Sequence, residues 1–236
     1  MALPDILCLT FIAAWLVVDY FLVWRIFLRR SHADQPRARL WFYAALVGEL
    51  WAAVVVVVSL WLYEGRPWTL LRLGAPDGWR LWISVGSVLA LTVALGVTTV
   101  RLARLTRRKQ VKMPTRAATY APHTRHELAW WAAVSLSAGF SEELIFRGYL
   151  IWVLQPLLGL WGAAILSVVV FAVAHAYHGT AGAVATGVVG GFLTLVVLIF
   201  GSLWPAVAMH MLIDLQQGFA AWLVLRRQPH TVPAST

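Results

Sequence analysis

The chain has 236 residues, of which 61% are hydrophobic and only 12% are charged. Soluble domains have roughly 45–50% apolar residues, so this composition excludes an ordinary soluble domain and predicts a polytopic membrane protein. The net charge is +9, but no aromatic stacking residues alternate with the basic ones, so we do not expect a nucleic-acid partner.

Apolar runs along the chain predict an all-α transmembrane bundle of about seven helices. A spanning helix needs roughly 17–25 mostly apolar residues. The runs lie at about 4–28, 40–63, 80–102, 128–157, 161–178, 183–200 and 203–225. No basic residues of a secretory signal precede the first run, so we expect it to remain as a membrane helix. The single cysteine, Cys8, excludes an internal disulfide and any cysteine-based metal site.

The distribution of basic residues predicts the orientation of the helices. Of 19 Lys and Arg, 15 lie around the first and third connections or after the last helix, and only three lie in the second connection. The positive-inside rule places the richer segments in the cytoplasm. We therefore expect an outside N-terminus and a cytoplasmic C-terminus in the inner membrane of a bacterium, with basic groups that can contact membrane lipids.

The chain divides into three parts in this interpretation. Residues 1–125 hold three helices and a basic connector over 103–125, which we expect to be a flexible loop. Residues 126–226 hold four helices, which carry the residues that we expect to perform the chemistry. Residues 227–236 have the composition of a disordered tail.

Two acids lie inside predicted helices of the first part. Asp19 and Glu49 each lack a polar partner three or four residues away in the chain. They could mark an ion path, but we favour buried carboxyls that are hydrogen-bonded or protonated.

Six ionisable residues fall within three neighbouring apolar stretches of the second part. They are Glu142, Glu143, Arg147, His175, His210 and Asp214. A charge at the bilayer centre costs at least roughly 2.5–3.5 kcal/mol, so such residues are seldom incidental. Their concentration predicts a reaction centre within the membrane domain.

The first motif pairs one of two adjacent acids with an arginine. Residues four apart share a helix face, so Glu143 can pair with Arg147. Glu142 is rotated by roughly 100° from Glu143 and should point elsewhere, which leaves it free to accept a proton. The alternative is that both acids only hold helices together.

The second motif is Phe171 followed by His175 on the same helix face. Glu142 lies 17 residues before Gly159, and His175 lies 16 residues after it. If the chain turns near Gly159, these two side chains are level on antiparallel helices. The alternative is a buried histidine that serves only packing.

The third motif is His210 followed by Asp214, again on one face. For ideal upright helices, His210 and His175 differ in depth by roughly 15 Å. Strong tilt, or a partly unwound segment over 179–191, could remove that mismatch, since glycines recur there. The alternative is two unrelated polar pairs.

Two chemistries are open for this set of residues. Glu142, His175, His210 and Asp214 could bind a divalent metal, for which imidazole and carboxylate ligands favour zinc. They could instead form a metal-free hydrolytic site, in which Glu142 activates water and His210 stabilises an oxyanion. Ser141 is a weak candidate for a nucleophile, because it would need a base on its own face.

The three motifs together resemble the CPBP family, which comprises CAAX prenyl proteases and bacteriocin-processing enzymes and is also called the ABI or type II CAAX endopeptidase family. The family pattern is Glu-Glu-x-x-x-Arg, then Phe-x-x-x-His, then His-x-x-x-Asn/Asp on successive helices. The chain follows that order over roughly residues 126–226. The resemblance thus implies that these residues form the catalytic helical core.

The resemblance implies an intramembrane endopeptidase that cleaves near the C-terminus of a prenylated or hydrophobic peptide. It implies Glu142 as general base, His175 as its partner on the water, and His210 with Asp214 at the oxyanion. Glu143, Arg147 and Phe171 are then structural support. Both a metalloprotease and a metal-free glutamate mechanism are compatible with the resemblance.

The last motif residue departs from the asparagine of some relatives. An ionised Asp214 can only accept hydrogen bonds. It is therefore protonated, or orients His210, or ligates a metal.

Two other functions fit parts of the pattern. A membrane scaffold or bacteriocin-immunity protein could keep the fold without catalysis. A transporter could use the buried acids and histidines to carry ions, although the chain has no internal repeat of the kind common in transporters.

Overall fold

The computed structural model describes residues 2–107, 111 and 113–226. Within these ranges the chain is helical with short connections and has no strand, which confirms the all-α prediction. The proposed disordered tail over 227–236 lies outside the described residues, as do the basic residues Arg108, Lys109 and Lys112.

The described part of the chain contains nine α-helices. They are α1 (Leu3–Val18), α2 (Trp24–Ala33), α3 (Gln35–Tyr63), α4 (Trp79–Arg107), α5 (Thr115–Tyr120), α6 (Arg125–Glu142), α7 (Ile151–Ala174), α8 (Thr180–Phe200) and α9 (Trp204–Leu225). Two π-helical segments, Asp19–Val23 and Glu143–Leu150, join α1 to α2 and α6 to α7. Short 3₁₀ turns cover Trp68–Leu71 and Ala176–His178.

Each of the predicted apolar runs corresponds to a helical stretch. The first run continues as one helix over 3–33 because the π segment Asp19–Val23 does not interrupt it. The fourth and fifth runs meet at Gly159, whose backbone has φ 68° and ψ 170°. A side chain at positive φ is strained, so glycine suits this sharp turn inside α7. The turn predicted near Gly159 is confirmed.

Among the described residues, four helical stretches are long and apolar enough to cross a membrane. They are Gln35–Tyr63, Trp79–Arg107, Arg125–Ala174 and Thr180–Phe200. The 50-residue stretch Arg125–Ala174 includes the break at Gly159 and therefore unites two of the predicted helices. Leu3–Val18 is a shorter apolar helix.

The connector over 103–125 is more ordered than an unstructured loop. Helix α4 continues to Arg107, and α5 forms a short helix within the connector. Thr124 then begins α6 with a capping box, since its side chain accepts from the Glu127 amide while the Glu127 carboxylate accepts from the Thr124 amide. The prediction of a loop over this whole segment is wrong for these helical residues.

The hydrophobic core joins helices from both parts of the chain. Buried side chains of α1 and α3, including Cys8 and Trp61, belong to one cluster with Leu144, Leu193 and Val207. Helix α9 packs mainly against α6 and α4.

The turn between α8 and α9 is fixed by the connection that precedes α4. The Leu203 amide donates to the Arg72 carbonyl at 2.8 Å, and the Ser202 hydroxyl donates to the Gly74 carbonyl at 2.7 Å. These bonds hold the start of α9, and they therefore help to set the position of the residues that follow on that helix.

Candidate functional site

Glu143 lies at the centre of a buried charge network. Its Oε1 accepts from Arg147 Nη1 at 2.9 Å and from His210 Nδ1 at 2.8 Å. The side chains of Glu143 and Arg147 are fully buried, and that of His210 is 6% exposed. The pairing of Glu143 with Arg147 follows the predicted spacing, whereas the bond to His210 joins two helices and was not predicted.

Arg147 also connects the network to α8. Its Nη2 donates to the Gly190 carbonyl at 3.0 Å, and its Nε donates to the Thr194 hydroxyl at 3.2 Å. The guanidinium lies 4.2 Å from the ring centre of Phe171. Sequence reasoning missed Gly190 and Thr194, because neither residue type signals a contact with an arginine on another helix.

Glu142, by contrast, faces two imidazoles. Its Oε2 lies 4.0 Å from His175 Nε2 and 3.7 Å from His210 Nε2. That oxygen is buried and has no hydrogen-bond partner among the described residues. The adjacent acids therefore point to different surroundings, as their angular separation predicts.

The backbone fixes the orientation of the His175 ring. Its Nδ1 lies 2.8 Å from the Phe171 carbonyl oxygen, which can only accept, so Nδ1 carries the proton. In the neutral ring, Nε2 then presents a lone pair toward Glu142. The Phe171 ring lies 4.5 Å from the His175 ring, centre to centre, and restricts its movement.

His210 is held in the same manner by a different acceptor. Its Nδ1 donates to Glu143, which leaves Nε2 directed at Glu142 and at Asp214 Oδ2, 3.5 Å away. Asp214 is the most exposed acid of the group, with 27% of its side chain accessible. The structure thus brings Glu142, His175, His210 and Asp214 together around one point.

The depth mismatch predicted for His210 does not occur. Both His175 and His210 lie within 4.0 Å of Glu142. The proposal that 179–191 is partly unwound is wrong, because α8 is helical from Thr180 onward. The upright geometry from which the mismatch was predicted therefore does not hold for these helices.

Glycines allow α6 and α9 to approach each other closely at the site. A Cβ on Gly139 would collide with the Met211 side chain and approach its backbone nitrogen to 3.0 Å. A Cβ on Gly218 would collide with the ring of Trp131. Because Met211 follows His210, this close contact places the third motif beside the first.

The π segment Glu143–Leu150 begins at the second acid of the first motif. Such segments are rare, are often found at functional sites, and leave backbone groups without their usual helical partners. The hydroxyl of Ser167, fully buried on α7, donates to the Phe146 carbonyl at 2.7 Å and satisfies one of these groups. Nothing in the periodicity of the sequence indicates the change from α to π geometry.

The donor set does not fit a resident metal ion. Among the described residues, no group of three or more His, Cys, Asp or Glu side chains is arranged to hold one. Both histidines bond other acceptors through Nδ1 and direct Nε2 at Glu142 Oε2, at 4.0 and 3.7 Å. Ligands at roughly 2.0–2.2 Å from one tetrahedral zinc lie roughly 3.3–3.6 Å from each other, so these donor atoms are too far apart to form a closed zinc site.

A cavity of about 520 Å³ opens beside Glu142, and two further acids line it. Asp19 and Glu49 border this cavity together with Glu142 and His175. The two carboxyls interact with each other across the helices. Neither acid stands alone as its own helix suggested, because the partner of each lies on a different helix.

The exposed edge of the same cavity is formed by the connector and by the turn after α7. Arg116 donates from Nε to the Tyr177 carbonyl at 2.7 Å, and Tyr120 bonds His178 Nδ1 through its hydroxyl at 2.7 Å. All four residues line the cavity. Sequence reasoning missed this edge, because nothing in the apolar pattern brings the connector to the turn after α7.

Comparison with known proteins identifies the segment that carries the site. Neither the curated proteins nor the solved structures include a match to this chain. A family model does match, over residues 124–216, and its description is type II CAAX prenyl endopeptidase Rce1-like. The matched segment contains all three motifs, which confirms the resemblance inferred from them. Residues 124–216 of this chain are therefore similar to the Rce1-like type II CAAX prenyl endopeptidases.

Proposed function

We propose that the protein is an intramembrane endopeptidase that cleaves a lipidated, CAAX-like or hydrophobic peptide near its C-terminus. The observation that carries the proposal is the environment of Glu142. Its buried Oε2 has no hydrogen-bond partner within the described residues and faces two imidazole Nε2 atoms at 3.7 and 4.0 Å. A free carboxylate beside two histidines is suited to activate water.

The separation of Glu142 from His175 fits a shared water molecule. A water bonded at about 2.8 Å to each of two acceptors leaves those acceptors roughly 4 to 4.5 Å apart. The observed separation between Glu142 Oε2 and His175 Nε2 is 4.0 Å. Such a water donates one hydrogen to each atom, so its lone pairs are free to attack the substrate carbonyl carbon.

The attack transfers a proton from water to Glu142 and forms the bond from the water oxygen to the carbonyl carbon. His210, when protonated at Nε2, donates to the resulting oxyanion. Glu143 accepts from Nδ1 and Asp214 lies 3.5 Å from Nε2, and both acids favour the protonated ring. Asp214 thus acts by orienting and charging His210, which an acceptor-only carboxylate can do.

Collapse of the intermediate completes the reaction without any further reactant. The carbon–nitrogen bond breaks, and Glu142 returns its proton to the leaving amine. The products are a carboxylic acid and an amine, and Glu142 is again ionised. Arg147 keeps Glu143 charged throughout, because it pairs with that acid inside a fully buried network.

The test is cleavage of a quenched fluorescent farnesylated CAAX peptide by purified protein in detergent. Glu142→Gln keeps the shape of the side chain and removes the base, so we expect kcat to fall by about 10²–10⁴-fold. Wild-type protein treated with a chelator is expected to keep its activity. Arg37→Gln is the matched control, because the Arg37 side chain is 88% exposed and pairs with Asp34 on the surface.

Equal activity of wild type and Glu142→Gln would contradict the mechanism. Loss of activity with chelator that metal restores would replace it with a metal-dependent one. If wild type fails to cleave this peptide and a panel of hydrophobic peptides, a scaffold protein of the same fold becomes the better explanation.

A further inference from the structure

Arg116 is the one cationic Lys or Arg side chain among the described residues that line the catalytic cavity. The lining also holds four carboxyl groups and three imidazoles: Asp19, Glu49, Glu142, Asp214, His175, His178 and His210. Arg116 lies on α5, outside the apolar spans, and its side chain is exposed. The cavity therefore has acids and imidazoles in its interior and a guanidinium at its exposed edge.

The guanidinium of Arg116 is anchored on one side only. Its Nε donates to the Tyr177 carbonyl at 2.7 Å, and its Cζ lies 5.9 Å from the ring centre of Trp24. Within the described part of the chain, its two Nη groups form no hydrogen bond, and no acid pairs with it. A guanidinium held by Nε keeps its two terminal nitrogens available as a fork for a carboxylate.

The neighbouring imidazole does not share this positive charge. His178 lies beside Arg116, and burial lowers the pKa of His178 to about 3. Its ring is therefore neutral near pH 7, and its Nδ1 is bonded to the Tyr120 hydroxyl. Arg116 alone supplies the attraction for an anion at this edge.

Arg116 lies within reach of a short peptide that is bound at the catalytic residues. Tyr177 follows His175 by two residues, and each step along the chain is at most 3.8 Å. With the 2.7 Å bond to the Tyr177 carbonyl, Arg116 Nε lies within about 13 Å of the His175 backbone. An extended peptide advances by about 3.3 Å per residue, so a few residues cover a distance of this order.

We infer that Arg116 binds the C-terminal carboxylate of the peptide substrate and thereby selects peptides whose free end lies close to the scissile bond. This inference rests on the proposed endopeptidase function and adds a specificity residue outside the family segment 124–216. The peptide enters with its free end toward the connector, while the preceding residues face Glu142 and the histidines. A carboxylate is matched to the fork, whereas a C-terminal amide carries no charge to attract it.

The experiment compares one farnesylated peptide with a free C-terminal carboxylate and the same peptide as an amide. Dissociation constants are measured by fluorescence anisotropy with protein made inactive by Glu142→Gln. We expect the acid to bind at least about tenfold more tightly than the amide. Adding Arg116→Gln should weaken binding of the acid peptide but not of the amide peptide, so that the ratio of their dissociation constants falls close to one. Arg116→Lys should keep part of the preference for the acid peptide. Arg125→Gln, a change to an exposed arginine of α6 outside the cavity, should keep the full ratio.

Each other outcome overturns the inference in a recognisable way. Equal weakening of acid and amide by Arg116→Gln would show that the residue only supports the Tyr177 carbonyl. Equal binding of both peptides, together with an Arg116-dependent affinity for phosphatidylglycerol micelles, would assign the guanidinium to lipid phosphate. Cleavage by otherwise wild-type protein is measured in parallel. If the acid peptide binds more tightly than the amide but wild-type protein cleaves neither, the proposed endopeptidase function is wrong and the carboxylate site stands.

Discussion

Glu142 and Glu143 are adjacent in the chain but differ in the partners that compensate their charge. Glu143 accepts from Arg147 and His210, whereas Glu142 Oε2 has no hydrogen-bond partner among the described residues. An uncompensated buried charge is costly, so Glu142 gains most from a bound water or a proton. One step along a helix turns the side chain by roughly 100°, which lets neighbouring acids have separate roles.

The orientation of His175 leads to a prediction about two amide substitutions. The amide of asparagine can replace Nδ1 and keep the bond to the Phe171 carbonyl, whereas that of glutamine reaches the position of Nε2. Since Nε2 is the atom that faces Glu142, we expect His175→Gln to retain more activity than His175→Asn. Both should lower kcat, with the asparagine variant down by about 10²–10⁴-fold. Cleavage assays on both variants check the order, and equal or reversed activities would argue against a role for Nε2.

At the scale of elements, the pairing of α6 with α9 depends on positions without side chains. Gly139 faces Met211, and Gly218 faces Trp131, at distances that no Cβ could occupy without a shift. Small residues permit such close helix contacts in membrane proteins. The contact brings His210 to Glu143, so the charge network depends on these glycines.

Gly139→Ala is therefore expected to disturb both stability and activity. The added methyl meets backbone as well as side-chain atoms of Met211, so α9 must move, at a cost of about 1–3 kcal/mol. The control is Gly96→Ala on α4, where a Cβ has no neighbour within 4 Å and alanine favours the helix. Unfolding in detergent can be followed with a thiol-reactive dye, because Cys8 is fully buried. A Gly139→Ala variant as stable and active as the control would show that α9 adjusts freely.

At the scale of the whole molecule, a buried ion pair connects the N-terminal helices to the family segment. Arg39 on α3 contacts Glu127 on α6 at 2.9 Å, and both side chains are less than 5% exposed. Glu127 also takes part in the capping box that begins α6. The same pair thus links α3 to the helix that carries Glu142.

Breaking this pair from one side should be more harmful than removing it altogether. Arg39→Ala leaves the buried Glu127 uncompensated, and we expect a loss of about 3–5 kcal/mol of unfolding free energy. The double variant Arg39→Ala with Glu127→Ala should lose less unfolding free energy than the sum of the losses in the two single variants. Arg37→Ala, which alters a surface pair only, should change stability by less than about 1 kcal/mol. Additive losses in thermal unfolding experiments would contradict a coupled pair.

Much of the fold follows from local sequence properties. The apolar runs determine helices of spanning length, because the backbone groups in a bilayer must bond within the helix. Gly159 marks the turn between two of them, since it tolerates positive φ. The four-residue spacing of Glu143 and Arg147 also gives their contact, because residues four apart lie on one face.

The convergence of distant residues is set by tertiary structure alone. The bond from His210 to Glu143, the contacts of Arg147 with α8 and the meeting of Asp19 with Glu49 each join different helices. Packing between helices decides these distances. The upright-helix estimate of roughly 15 Å between the depths of His175 and His210 does not hold, since both rings lie within 4.0 Å of Glu142. Helix formation depends on neighbours along the chain and can be read there. The assembly of the site depends on how side chains from several helices pack in space, which no single segment of the sequence encodes.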